Sequence, residues 1–395
     1  MKPPSASTHP RLLSRCSPPC LAPVLALTMK TLSLLSLIGL SGATPAHAAT
    51  PSQTLLPTGP GPEDMELIPW GPAGGQALIT ATARRLPWQK QPQGALEIHE
   101  IGGAPTFTPL PGVYPHGAWK PLAVWRVQGA TLPGSPGQVK DLLYVVNATV
   151  PKGMKGSQVE IFELQAATKT LTHLRTLGPS PLLTSPNSLV ATRDGTVYIS
   201  NFNLFGNRKL KVNTQITPEA AAPEKPERNT LVCYRPQEQT WRVVATGING
   251  ANGLCLTPDE KHLLCNAYHA KQVLDFTRDP ATGRLTNGDI VFDKLAFFPD
   301  NLKLLPSGEY CAAGQTNFIT TALHFLTVAT YPTGGSAVSF TYTPGHAQAQ
   351  RTRCWRETMR GDKRCTSTAI PHGGHLYLSH IIKPGVMRVV VSPSE

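Results

Sequence analysis

SPNSLVATRDGTVYISN, residues 185–201, opens with small and polar residues, runs through a short apolar segment, turns at Arg193-Asp194-Gly195 and closes in a second apolar segment. Two runs rich in β-branched and aromatic residues across such a turn read as a β-hairpin. The plan recurs in GANGLCLTPDEKHLLCNA (250–267), FPDNLKLLPSGEYCAAG (298–314) and TSTAIPHGGHLYLSH (366–380). Their turns fall at Pro258-Asp259-Glu260, Pro306-Ser307-Gly308 and His372-Gly373-Gly374. A looser copy starts at PHGAWKPLAVW (115–125) and returns through DLLYVVNAT (141–149).

Self-similarity every 50 to 70 residues or so is the mark of a propeller in which each unit is one four-stranded blade. At about 57 residues per blade, the chain beyond residue 48 makes six blades. The expected fold is all-β, a six-bladed β-propeller with a central metal-binding tunnel. A β-sandwich with coincidental hairpins is the alternative, but it leaves unexplained why polar residues recur at the start of the same strand. In a propeller that strand is the innermost one, and its first residues converge on the axis from every blade.

The repeat starts supply Asn187, Asn252 and the pair Asp300-Asn301, and PEDMELIPW, ahead of the first strand-like run, supplies Glu63 and Asp64. Glu63 and Asp300 with the three amide carbonyls form an all-oxygen set of formal charge −2. Calcium takes six to eight such oxygens and tolerates irregular geometry, whereas the lack of a soft ligand argues against zinc or copper. Singly, each of these residues reads as an ordinary turn residue. Their shared position in the repeat is what points to a metal.

PEDMELIP, YPHG, LLYVVN, SPNSLVA, GANGL followed by TPD, and DNLKL followed by SG and Y occur in that order between about residues 60 and 385. In this string the chain resembles the paraoxonase/arylesterase family. The resemblance implies a catalytic calcium held by Glu63, Asn187, Asn252, Asp300 and Asn301. It implies a second, structural calcium on Asp64 and the carbonyl of Ala118, with Ser188 standing where the family has an aspartate, a poorer ligand. It also implies that His116 acts as general base, a task that suits histidine near neutral pH. The partner histidine of the family falls on Ala148, a pocket aspartate on Phe202 and a pocket histidine on Gln315.

The rest of the sequence sets the context. The chain has 395 residues, 40% hydrophobic and 15% charged, with 34 Gly and 39 Pro, a composition for many short strands and turns. Met29-Lys30, the apolar stretch 31–43 and Ala46-His47-Ala48 have the form of a signal peptide cut after Ala48. Residues 1–28 then form an upstream extension, 29–48 the signal and 49–395 the propeller, in a secreted or periplasmic protein with no membrane span after cleavage. Removing the four basic residues Lys2, Arg11, Arg15 and Lys30 lowers the formal charge from +12 to +8. No basic cluster interleaves with aromatics, so no nucleic-acid partner is expected.

Six cysteines remain. Cys255, Cys265 and Cys311 lie in apolar strand-like runs as small hydrophobes. Cys354 and Cys365 flank a polar loop, either bridged or as thiols. The segment 208–229, rich in Pro, Glu and Lys, interrupts the blades as an insertion, either a loop over the channel mouth or a surface excursion. His372 and His375 fall on a hairpin turn, which argues against a transition-metal site with His380, and Asn147-Ala148-Thr149 follows a core-like strand, so its sequon is incidental. No nucleophile elbow, phosphate loop or zinc-protease motif is present.

The expected activity is hydrolysis of lactones or aryl esters by a monomer that acts on small molecules. A calcium ion polarises the carbonyl while an activated water attacks. The alternatives are a sibling propeller enzyme, of the sugar-lactonase or strictosidine-synthase-like kind, and a non-catalytic propeller pinned by its metal.

Overall fold

Residues 186–201 form a hairpin whose turn is tied by its own side chains. Asp194 Oδ1 accepts from Thr196 N at 2.9 Å and from the Thr192 hydroxyl, while Gly195 takes φ 83°. Blade four repeats the device: Asp259 Oδ1 accepts from Thr257 Oγ1 at 2.6 Å and from Lys261 N at 3.1 Å. A carboxylate capping the amides of a tight turn fixes hairpin register, which decides which face each side chain takes.

The computed structural model describes residues 52–86, 93–149, 154–203, 229–346, 348–356 and 365–391. The signal segment and the insertion, apart from its last residue Asn229, lie outside the described residues. The described strands form six antiparallel four-stranded sheets. Blade one comprises Pro62–Pro69, Gln76–Ala83, Gly94–Glu100 and Thr108–Pro109, and blade two Pro121–Thr131, Val139–Asn147, Ser157–Gln165 and Thr170–Ser180. Blade three comprises Pro186–Ala191, Val197–Asn201, Thr230–Arg235 and Thr240–Ala245. Blade four comprises Ala251–Leu256, His262–Ala267, Gln272–Arg278 and Leu285–Phe292. Blade five comprises Phe298–Leu304, Tyr310–Gln315, Gly335–Thr341 and Gln350–Arg356, with helix α1 (Phe318–Leu326) inserted after its second strand. Blade six comprises Ala369–His372, His375–Leu378 and Val386–Val390, and its fourth strand is Gln53–Leu56 from the other end of the described chain.

The first strand of blades one to six contacts the first strand of its neighbours all the way round, blade six touching blade one. The fold is the expected six-bladed propeller. Its core is divided among the interfaces between blades. Leu142, Tyr144 and Val146 of blade two pack on Leu189, Val197 and Ile199 of blade three. Leu56, Ile370, Tyr377 and Val386 of blade six pack on Met65 and Leu78 of blade one. Cys255, Cys265 and Cys311 are buried in these layers, and burial pushes the thiols of Cys265 and Cys311 up to about 12. Cys354 and Cys365 form no disulfide with each other; Cys354 is exposed and Cys365 buried. Asn147 is fully buried, with its amide on Glu160 Oε1 at 2.8 Å, so the sequon is closed to a glycan.

Closure depends on the pairing of Gln53–Leu56 with Val386–Val390, in which Leu56 is fully buried and Leu55 is 51% exposed. Leu56→Ala is therefore expected to lower the unfolding free energy by about 2–5 kcal/mol. Leu55→Ala on the outer face is expected to change it by less than about 1 kcal/mol. Denaturant unfolding of the two variants checks this.

Candidate metal centre

The first strands do not run regularly to their ends. Pairing slips between Pro62 and Asp64, Pro186 and Ser188, Ala251 and Leu254, and Pro299 and Leu302. The residues left out of the ladder are Glu63, Asn187, Asn252-Gly253 and Asp300-Asn301. A β-bulge leaves its extra residue unpaired and re-aims the side chain. Blade two slips there too, between Pro121 and Val124, so five blades share the feature and four of them give the axis five oxygen-bearing side chains.

Contacts between blades show that they meet. Asn187 Nδ2 donates to Glu63 Oε1 at 3.4 Å, and Asn301 Nδ2 donates to the Glu63 carbonyl at 3.2 Å and to Thr368 Oγ1 at 2.8 Å. Gln315 Nε2 donates to Asp300 Oδ2 at 2.8 Å and to the Thr366 carbonyl at 2.7 Å, while its Oε1 accepts from the Tyr268 hydroxyl. Gly253 allows the approach of blades four and five, since a Cβ there would stand 2.3 Å from the Asp300 carbonyl oxygen.

Among the described residues, three oxygens of this ring, Asn187 Oδ1, Asn252 Oδ1 and Asp300 Oδ1, are buried without a hydrogen-bond partner. Leaving a buried acceptor unsatisfied costs about 1–3 kcal/mol each. The carboxylates are under the same strain. Burial, with Asp64 nearby and against the pull of Arg85, holds the Glu63 carboxyl above its usual range. Burial and the neighbouring Glu63 push Asp300 well above it. Two carboxylates and unsatisfied amide oxygens converging in a dry site fit a hard cation with oxygen ligands. Glu63, Asn187, Asn252, Asp300 and Asn301 are the residues that would hold it.

A cavity of about 260 Å³ opens above the ring, lined by Glu63, Asn187 and Asp300 with Arg85, Lys120 and Tyr268. Ala148, Phe202 and Gln315, three of the four departures from the resembled pattern, line it too. A larger cavity, about 620 Å³, sits at the other ends of the same strands beside Glu66 and Lys303. Of the two, the smaller one is the candidate site because Asn187 and Asp300, which carry two of the unsatisfied oxygens, line it.

Arg85 was not legible as a site residue. Its guanidinium contacts Glu63 Oε2 at 2.8 Å and donates to the carbonyls of Ala81 and Leu122 at 3.1 and 3.2 Å. It stands after the second strand of blade one, outside the repeat position that reveals the ring. Gln315 is a departure that gains a role here, since it orients the Asp300 carboxylate.

Two expectations meet different geometry. His116 is exposed on the turn before blade two, its ring edge-on to Tyr114 and His173 at 5.3 and 5.6 Å, and it is not among the residues lining the cavity. The set Asp64, Ala118 and Ser188 does not form a second metal cage. Asp64 Oδ2 accepts from Val124 N at 2.9 Å and its carboxylate pairs with Lys303 Nζ. Ala118 is exposed, and Ser188 Oγ accepts from Leu254 N at 3.1 Å. The Asp64 and Ser188 oxygens of this set are thus engaged by groups of the protein itself.

The family model described as the SMP-30/gluconolactonase/LRE-like region matches residues 143–328. Serum paraoxonase/arylesterase 2 of Canis lupus familiaris is 30% identical over 166 residues, 42% of this chain and 42% of that protein. The Homo sapiens protein of the same name is 33% identical over 122 residues, 31% of this chain and 30% of its own length. Over these segments the chain is similar to the SMP-30/gluconolactonase/LRE-like and paraoxonase/arylesterase proteins. The match spans less than half the length of these curated relatives. A luciferin-regenerating enzyme of solved structure aligns with 87% of this chain and 96% of its own at 13% identity and a TM-score of 0.48. Among the described residues, no helix is long and apolar enough to cross a membrane.

Gly253→Ala is expected to force the Asp300 backbone away and to lower stability by about 1–3 kcal/mol. Any rise in melting temperature produced by calcium in the native chain should be lost with it. Thermal unfolding of both chains with and without calcium reads both effects.

Proposed function

We propose that the chain is an exported, calcium-dependent hydrolase of lactones and aryl esters. The observation that carries the reading is the set of three buried oxygens, on Asn187, Asn252 and Asp300, without partners among the described residues, with Asn187, Asp300 and the Glu63 carboxylate lining a cavity. When bound there, calcium would polarise an ester carbonyl and stabilise the charge that develops on its oxygen. The protein's share is positional. Gln315 holds Asp300, Arg85 holds Glu63, and Phe202 with Phe325 and Ile381 gives the cavity an apolar wall suited to an acyl or aryl group. Arg85 and Lys120 add positive charge to the lining, which favours a substrate oxygen that gains negative charge. The signal-type leader supports export to an extracellular or periplasmic compartment.

A sugar lactone is the second substrate class, favoured by the SMP-30/gluconolactonase/LRE-like match over 143–328. A panel of aliphatic lactones, aryl esters and sugar lactones, assayed on the full chain with calcium and after chelation, separates the classes. Turnover that disappears with chelator, returns with calcium and falls at least about a hundredfold in Asn252→Ala is the expected result. A folded, calcium-loaded chain with no turnover on any of these compounds refutes the reading.

The family's histidine role is tested in the same assay. A general base in contact with its substrate is worth about 10²–10⁴ in rate. Exposed and away from the cavity lining, His116 is expected to lose less than about tenfold as His116→Gln. A larger loss, with disappearance of a pH-rate limb near the histidine range, returns the base to His116.

A further inference from the structure

Below the ring, on the same strands, lies a second convergence of oxygens, and it is filled. Lys303, on the first strand of blade five, is 5% exposed. Its Nζ lies 2.9 Å from Asp64 Oδ1 and 3.1 Å from each of Asp64 Oδ2, Glu66 Oε2 and the Val124 carbonyl oxygen. Asp64 and Glu66 belong to blade one and Val124 to blade two, so one ammonium joins three blades.

The cage resembles the ring above in its donors and differs in its satisfaction. Asp64 Oδ1 also accepts from Met65 N at 2.9 Å and Thr368 Oγ1 at 3.3 Å, and Oδ2 accepts from Val124 N at 2.9 Å. None of the Asp64 or Glu66 carboxylate oxygens is among the buried atoms without partners. Burial opposes the charge on Lys303, but Asp64 and Glu66 outweigh it and raise the ammonium's pKa above its ordinary value. A buried ammonium with three donors meets three oxygen-bearing groups, and each hydrogen bond to a carboxylate is charge-assisted.

We propose that Lys303 is the resident cation of the lower tunnel, its ammonium filling an oxygen cage that would otherwise hold a hard divalent ion such as calcium. A two-carboxylate, one-carbonyl set is of the kind calcium accepts, with water completing the coordination. Lysine here joins the blades without a dissociable ion. The lower tunnel of this chain is therefore indifferent to chelators.

The test counts bound calcium in the full chain, stripped by chelation and titrated calorimetrically, with mass-spectrometric metal analysis. Lys303→Ser shortens the side chain and removes its charge. It is expected to bind one more calcium per chain than the native protein, with a dissociation constant in the micromolar to millimolar range. Its melting temperature should rise with calcium by more than that of the native chain. The double variant Asp64→Asn with Lys303→Met removes one charge of each sign and is expected to bind as many ions as the native chain. The comparison is a difference between variants, so it stands whether or not the upper ring binds calcium. Recovery of Lys303→Ser only when refolded with calcium supports the proposal. Two ions on the native chain, no added ion on Lys303→Ser, or an added ion on the double variant overturns it. Failure of Lys303→Ser to fold even with calcium, while the double variant folds, also overturns it.

Discussion

The carbonyl oxygen of Glu63 accepts from Ser367 Oγ at 2.6 Å, Thr368 Oγ1 at 2.8 Å, Ser379 Oγ at 3.0 Å and Asn301 Nδ2 at 3.2 Å. These donors come from blades five and six, so one backbone group of blade one ties together the seam where the ring closes. The closing strand Gln53–Leu56 makes this possible, because it fixes blade six from the end of the chain that leads into Glu63. The seam sets where the Glu63 carboxylate stands relative to Asn187 and Asp300. The site is thus a consequence of closure: five oxygen donors from four blades share a centre only if all six blades meet.

Closure concentrates negative charge on the axis. Glu63, Asp64, Glu66 and Asp300 all lie on first strands, and burial raises the carboxyl pKa values of Glu63, Glu66 and Asp300. Carboxylates crowded in a low-dielectric site must be protonated or met by cations. Two internal cations answer part of that demand: Arg85 beside Glu63 and Lys303 between Asp64 and Glu66. Arg85 spends its guanidinium on Glu63 and on backbone carbonyls, and it stops short of Asp300, whose Oδ1 stays unpartnered. Removing one member of such a buried pair leaves an uncompensated charge and costs about 3–5 kcal/mol. The lower pair is therefore as much part of the scaffold as the hydrophobic layers between blades.

The fold was legible because its unit is local. A hairpin with a tight turn announces itself in about seventeen residues, and four copies give the period, two of them with carboxylate-capped turns. Blade one lacks such a turn and was visible only as PEDMELIPW ahead of a strand. The ring residues were legible because they occupy one position of the repeat, although nothing in the sequence marked the bulges that turn them inward. Arg85 and Lys303 fall outside that position, and their partners lie on other blades, up to 239 residues away for Lys303 and Asp64. A long-range charge pair leaves no trace in local pattern. The place of His116 was not legible for the converse reason, since a resemblance carries a residue type to a position but not the loop conformation that leaves it exposed and outside the cavity lining.

The two ends of the tunnel show how this propeller separates stability from chemistry. Both ends gather carboxylates and carbonyl or amide oxygens from several blades, and both are buried. At the lower end both Asp64 oxygens and Glu66 Oε2 have donors, supplied by Lys303 and by backbone amides. At the upper end Asn187, Asn252 and Asp300 keep oxygens that no group of the described residues hydrogen-bonds, beside a cavity with an apolar wall. Bulges that serve no ladder, and polar atoms that serve no hydrogen bond, lower stability unless something outside the chain completes them. A sequence that satisfies one end with a lysine and leaves the other open has placed its incompleteness where a substrate can arrive.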